Sequence, residues 1–254
     1  MSSSARRQSL NRVVIINPKG GCGKSTLVTN IASCYARRDQ STVIMDYDPQ
    51  GSSMAWLERR DPSLPEIAGI AAFKQSMQAT RSWQLRVPGE TNNLLIDSPA
   101  GLGHDELREL TRDASSILIP VLPSPMDIHA VSRCIADLLL VAKINRNERK
   151  LAVVANRTRK NTKSFTRLMR FLDSLGIPII AVLRDSQNFI HAAETGTGLH
   201  DMHPPSRVKL DIEQIDRIVR WLDNWQQRRK MGIQVASIAG KTVPRLGQST
   251  TQSA

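Results

Sequence analysis

Two lysines five positions apart frame a glycine-rich stretch, Lys19-Gly20-Gly21-Cys22-Gly23-Lys24-Ser25-Thr26. Glycines let backbone N–H groups turn inward and approach anionic oxygens without side-chain clash. A helix starting at Lys24 would add unpaired N–H donors and the positive end of its dipole. Lys24 could then reach the terminal phosphates of a nucleotide, and the Ser25 hydroxyl could ligate Mg²⁺. The general pattern G-x-x-x-x-G-K-[ST] asks for glycine at position 18, where this chain has Pro18; Lys19 supplies a second cation instead. Three acids, Asp46, Asp48 and Asp97, stand at or just beyond the ends of short apolar runs. An acid placed beside a phosphate loop can hold Mg²⁺ through its water shell. Asp46 reads equally well as such an acid or as a structural cap. Asn156 closes another apolar run; its amide could bond an adenine edge or cap a strand end.

These residues need a frame that brings them to one edge. Apolar, β-branched runs at 13–17, 42–46, 94–97, 117–122, 151–155 and 179–183 predict strands. Helical stretches are expected at 24–38, 127–144, 163–175 and 211–230. Continuous apolar strands separated by helices predict an α/β protein, with a mostly parallel sheet covered by helices on both faces. Ligands of such sheets bind beyond the carboxyl ends of the strands, where the acids fall. The expected organisation is a flexible N-terminus (1–11), one domain (12–230) and a flexible, Ser/Thr/Gln/Gly-rich C-terminal tail (231–254).

Composition narrows the function classes. With 254 residues and 40% apolar content the chain can bury a real core. Its three cysteines, Cys22, Cys34 and Cys134, make no closed disulfide framework and have no paired metal-ligand spacing, which predicts a cytoplasmic protein. No secretory signal is expected from Met1 to Arg12. The longest apolar run, 177–183, falls short of the roughly 18 residues of a membrane helix.

The formal charge of +12 is uneven. Lys143 to Arg170 holds ten basic residues against the single acid Glu148, most of the excess. A local basic field of that kind suits a polyanion. Arg157, Arg159, Lys160, Lys163, Arg167 and Arg170 are the candidate DNA contacts. Spacings of three and four put Lys163, Arg167 and Arg170 on one helix face.

The segment Lys19 to Thr26 resembles the deviant Walker A motif of the ParA/MinD family of ATPases. Asp46-Tyr47-Asp48-Pro49-Gln50 resembles the family's D-x-D-P-Q segment, and Leu94 to Gly101 its Walker B region. Pro123-Ser124-Pro125-Met126-Asp127 resembles its P-S-P-x-D segment, and Asn156-Arg157 its Asn-Arg pair. Trp56 with Arg59 and Arg60 is similar to the small ParA subgroup, which lacks an operator-binding domain. The likeness runs over roughly residues 12–230 and implies a single-domain P-loop NTPase fold. It also implies ATP and Mg²⁺ as cofactors. By resemblance, Lys19 reaches across a dimer interface, Lys24 binds phosphate and Asp48 orients the attacking water; these three form the catalytic set. Gly20, Gly21, Cys22, Gly23, Ser25, Thr26 and Asn156 complete the nucleotide contacts. Ser25 and Asp97, the latter through water, hold the metal.

The resemblance further implies a homodimer in the ATP state and an adaptor, ParB-like or McdB-like, that stimulates slow hydrolysis. The expected outcome is a switch that binds non-specific DNA and positions a plasmid, protein cluster or carboxysome-type compartment over the nucleoid. A MinD-like membrane role is the alternative. It would use the apolar stripe Ile215, Ile218, Val219, Leu222 and Trp225, although such a helix more often packs on its own domain. An electron-donor ATPase is not expected, because no cysteine lies in a cluster-like loop.

Overall fold

In the computed structural model, residues 10–74, 87–228 and 230–231 are described. The two expected tails, 1–11 and 231–254, lie almost wholly outside them. Seven strands, β1 (Asn11–Ile15), β2 (Thr42–Asp46), β3 (Ala68–Ala71), β4 (Asn93–Asp97), β5 (Ser116–Val121), β6 (Leu151–Thr158) and β7 (Ile179–Arg184), form one sheet. Their order is β3-β2-β4-β1-β5-β6-β7, and every pairing is parallel. The helices are α1 (Lys24–Ala36), α2 (Ser52–Glu58), α3 (His104–Thr111), α4 (Pro125–Leu140), α5 (Lys163–Ser174), α6 (Gln187–Thr195) and α7 (Lys209–Asp223).

The two-residue period of a strand sorts its side chains between the two faces. Val14, Val43, Met45, Ile96, Ile117, Ile119 and Val153 point to one core, closed by Leu107 and Leu110 of α3, Val131, Ile135 and Leu138 of α4 and Leu168 and Leu172 of α5. Val13, Ile15, Ile44, Leu95, Leu118 and Val154 point to the other, under α1, Trp56 of α2, Phe189 of α6 and α7. Both faces are covered, so the central strands are apolar on both sides through their middles and polar only toward their ends, and each fully buried Leu, Ile or Val contributes about 1.5–3 kcal/mol.

Four elements were not anticipated from the sequence: β3, α2, α3 and α6. Strand β3 is four residues of Ala and Gly around one Ile, too short and weakly β-forming to show a pattern. The polar first turn of α3 and the charged end of α2 hide their buried residues, Leu107 and Leu110 in one and Trp56 in the other. The last helix also differs from the expected 211–230. It starts at Lys209 and runs to Asp223; after a turn at Asn224 the chain is helical again over 225–228, so most of the expected span is helix with one interruption. Its stripe of Ile215, Ile218, Val219 and Leu222 is fully buried in the domain core. No helix among the described residues is long and apolar enough to cross a membrane.

Strand β1 lies between β4 and β5, and the chain crosses from one half of the sheet to the other there. That switch point opens a crevice beyond the carboxyl ends of the strands. Residues 16–26, 47–53 and 98–103 all follow strands at this edge.

Candidate functional site

The glycine-rich loop runs directly from β1 into α1. Gly23 is the N-cap of α1 with φ of 97°, a conformation that favours glycine. A Cβ there would also come within 2.2 Å of Asn156 Nδ2, so any other residue at position 23 would be strained and would displace the Asn156 amide. Gly21 is also left-handed, and a Cβ on Gly20 or Gly21 would meet nothing within 4 Å. The loop is thus an open concavity lined by backbone.

The two lysines are held in different ways. Lys24 is buried, and its Nζ donates to the carbonyls of Asn17 (3.2 Å) and Lys19 (3.3 Å). Lys19 is more exposed, and its Nζ pairs with Asp127 Oδ2 at 3.3 Å. Asp127 sits in the first turn of α4, where Ser124 caps the helix by accepting from the Asp127 N–H. Cys22 is buried with its thiol on the Lys19 carbonyl, while Cys34 and Cys134 are buried free thiols. Burial pushes the Cys22 thiol up and the Cys34 and Cys134 thiols to about 12, so none is a thiolate at neutral pH.

Facing the loop, Asp46 and Asp97 end adjacent strands in register. Both are completely buried. Burial, reinforced by Asp97, raises the Asp46 carboxyl to about 6; burial raises that of Asp97 as well. Asp46 accepts from the N–H groups of Asp48 (2.9 Å), Ser53 (3.1 Å) and Met54 (3.3 Å). It therefore shapes the turn into α2, the structural half of its two readings. Asp97 Oδ2 accepts from the Ser53 hydroxyl at 2.6 Å, and the Ser53 and Ser25 side chains partly offset the rise that burial imposes on this carboxyl. Asp97 Oδ1 is buried with no hydrogen-bond partner among the described residues. An unsatisfied buried carboxylate oxygen beside a serine hydroxyl fits a hydrated divalent cation, so the residues present suit Mg²⁺. Asp48 is half-buried, and its side chain accepts from the Gln50 N–H at 3.0 Å.

A cleft of about 690 Å³ joins Gly20, Gly21, Gly23, Lys24, Ser25 and Thr26 to Asp48, Trp56, Arg59 and Arg157. A second cavity of about 610 Å³ shares Thr26, Arg59, Arg157 and Ala193 with it and continues along Asn156, Arg184, Ser186 and Phe189. Together they make a groove with a phosphate-sized concavity at one end and a mixed apolar and polar chamber at the other. Asn156 stands between the two. Its Nδ2 donates to the Cys22 carbonyl at 2.8 Å, and its Oδ1 accepts from the Arg157 N–H at 2.9 Å. In this conformation its amide holds the glycine loop against β6.

Ser53 and Arg59 were not foreseen as parts of the site, whereas the stretch 184–194, read from the sequence as packing near the nucleotide, supplies Phe189. Ser53 carries a faint signal, as a small polar residue just after the Asp-Pro-Gln turn. No spacing along the chain marks Arg59 as a cleft residue. Strand β6 separates what the sequence presents as one basic block. Lys143, Arg146, Arg149 and Lys150 precede it and Arg157, Arg159 and Lys160 lie at its far end, roughly 26 Å away at 3.3 Å per residue. Helix α5 runs back, and Lys163, Arg167 and Arg170 are all exposed on it. Arg159 is paired with Asp185 at 2.7 Å, and Arg157 belongs to the nucleotide groove.

A doubly wound parallel sheet with a glycine loop between its first strand and helix, facing paired acids, defines a nucleotide-phosphate-binding α/β protein. Residues 13–199 match the CobQ/CobB/MinD/ParA nucleotide binding domain, and the chain belongs to that family. Among its relatives is the maintenance of carboxysome distribution protein A of Halothiobacillus neapolitanus. The two are 27% identical over 209 residues, 80% of this chain and 93% of that protein. The septum site-determining protein MinD of Synechocystis is 24% identical over 75% of this chain and 82% of its own length. In fold, the chain is similar to apo McdA of Cyanothece (TM-score 0.64, 14% identity, 84% of this chain and 99% of that one). It is also similar to the MinC:MinD complex of Aquifex aeolicus (TM-score 0.63, 18% identity, 94% and 100%).

Proposed function

We propose that this chain is an ATP-hydrolysing positioning switch. It would form an ATP-sandwich homodimer, bind DNA without sequence preference and, with an adaptor, distribute a carboxysome-type compartment over the nucleoid. The observation that carries the reading is the pair of loop lysines. Lys24 faces into its own concavity. Lys19 opens the loop with its side chain 37% exposed and its Nζ tied only to Asp127 among the described residues, where a second subunit's nucleotide could draw it away. Two triphosphates brought face to face need such cations to offset their charge.

Each chain residue then has a task. Backbone N–H groups of 20–26 and Lys24 hold the phosphates. Ser25 and Asp97 hold Mg²⁺, which supplies charge neutralisation at the terminal phosphates. Asp48 orients water, and Asn156 with the chamber near Phe189 takes the base. The carboxysome assignment rests on the named relatives of Halothiobacillus and Gloeobacter. The MinD-like membrane reading is disfavoured because the apolar stripe of α7 is spent inside the domain.

The test is light scattering and DNA retention with a slowly hydrolysed ATP analogue. A dimer that retains DNA with the analogue, and neither with ADP, is expected. A monomer that holds DNA equally in all nucleotide states would refute the reading. Two narrower outcomes are expected. Arg167→Gln with Arg170→Gln should weaken DNA binding with ATP affinity retained. The log–log salt slope should flatten by roughly 0.9 for each DNA phosphate that is no longer neutralised. Ser53→Ala should raise several-fold the Mg²⁺ concentration for half-maximal hydrolysis, because Asp97 loses the hydroxyl that orients it; an unchanged Mg²⁺ curve would count against that role.

A further inference from the structure

A second concavity lies under the opposite edge of the sheet, beneath the amino ends of β5, β6 and β7. It measures about 400 Å³ and is lined by Arg146, Arg149, Arg228 and Trp221, with Leu151 and the turn Gly176–Pro178. No carboxylate lines it. Nearby Glu148 is engaged by Lys150 at 2.9 Å. The three guanidinium groups have only neutral partners among the described residues. Arg146 donates to the Leu175 carbonyl at 3.0 Å. Arg228 donates to the Arg149 carbonyl (3.1 Å), the Ser116 hydroxyl (2.8 Å) and the Trp221 carbonyl, and lies 3.6 Å over the Trp221 ring. The Arg149 side chain has no partner among the described residues.

Taking a cation out of water is expensive unless an opposite charge repays it. Here a partly buried guanidinium faces a cavity with two further guanidinium groups and no acid to repay the cost. Convergent arginines match a phosphate well, since each offers paired N–H donors in a fixed fork. We propose that this cavity is a phosphate-binding site, distinct from the nucleotide groove and at the other end of the sheet. Its phosphate would come either from a DNA backbone or from a free phosphate in solution. The first source would continue the basic face of α5, because Arg146 bonds the carbonyl just past that helix's end. No residue of the cavity belongs to the nucleotide groove, so a failure of ATP-dependent dimerisation would leave this site untouched.

The probe is inorganic phosphate added to the full chain saturated with Mg-ADP, at ionic strength held constant with chloride. The melting temperature should rise with phosphate in the wild type. In Arg146→Gln/Arg149→Gln the apparent affinity should fall at least tenfold, and Arg146→Lys/Arg149→Lys should recover part of it. Arg146 and Arg149 are exposed, so a matching melting temperature without phosphate checks that the fold is kept. No phosphate response in the wild type, or an equal response in the Gln double variant, would overturn the proposal. Given the response, anisotropy with a labelled duplex separates the sources. A weaker, less salt-sensitive complex in the Gln double variant identifies the DNA backbone, and an unchanged complex identifies free phosphate; both uphold the site.

Discussion

Lys24→Ala is expected to reduce ATP affinity by at least a hundredfold. A buried lysine at the head of α1 makes charge-assisted hydrogen bonds to phosphate, and each is worth about 1.5–3 kcal/mol. Two such bonds exceed the ~2.7 kcal/mol that a hundredfold change requires. No neighbour can substitute for it. Lys19 is drawn the other way by Asp127, and Arg59 and Arg157 stand where the loop's cleft is shared with the second cavity. The loss should not come from unfolding. Among the described residues Lys24 Nζ bonds only the carbonyls of Asn17 and Lys19 within its own loop, and Lys24 is no member of either apolar core. Calorimetric titration of ATP, with a melting curve of the nucleotide-free variant beside it, separates the two causes. Retained micromolar ATP binding would remove the loop from the nucleotide site.

Asp48→Ala should have the opposite signature: ATP affinity kept, turnover lowered by about 10²–10⁴-fold, the range for a positioned acid–base or water-orienting group. The side chain is half-buried on the cleft wall, and its one side-chain bond among the described residues is to the Gln50 N–H in its own turn. Its backbone N–H is held by Asp46, which the substitution leaves in place. The turn into α2 should therefore survive, and the variant should accumulate as an ATP-loaded dimer on DNA. Single-turnover hydrolysis and sedimentation with ATP measure both halves. Normal turnover would clear Asp48 of its role. A monomeric variant with ATP bound would instead place it in the dimer contact.

The different holding of Lys19 and Lys24 gives these two outcomes a common frame. One lysine is fixed by backbone carbonyls and needs only a ligand. The other is held by a single partly exposed ion pair, an interaction worth about 1 kcal/mol or less. A partner's phosphates could compete for it at small cost. Asp127, the residue that holds it, was visible in the sequence only as the acid of the Pro-Ser-Pro-Met-Asp stretch.

Much of the frame was readable along the chain, because its signals are local. Gly20 to Thr26 announce a turn that only glycine can make, and the strand before and helix after it follow from unbroken apolar runs. The parallel, doubly covered sheet follows from strands such as Val13–Ile15 and Leu151–Ala155, which have no polar face to give to water. The short or polar elements were not readable. β3 owes its place to pairing with β2, and α2 owes its place to the single buried Trp56, whose Nε1 donates to the distant Thr197 carbonyl.

Chain order alone determined the phosphate loop, the acids at strand ends and the overall α/β alternation, since each depends on residues within a few positions of one another. Tertiary structure decided the rest. It set the Lys19–Asp127 pair across 108 positions, the Ser53 bond that orients Asp97, the amide of Asn156 locked onto the loop, and the parting of one basic run into two ends of a strand. Those are contacts between elements, fixed by crossover direction and strand register, and no window along a single chain contains both partners.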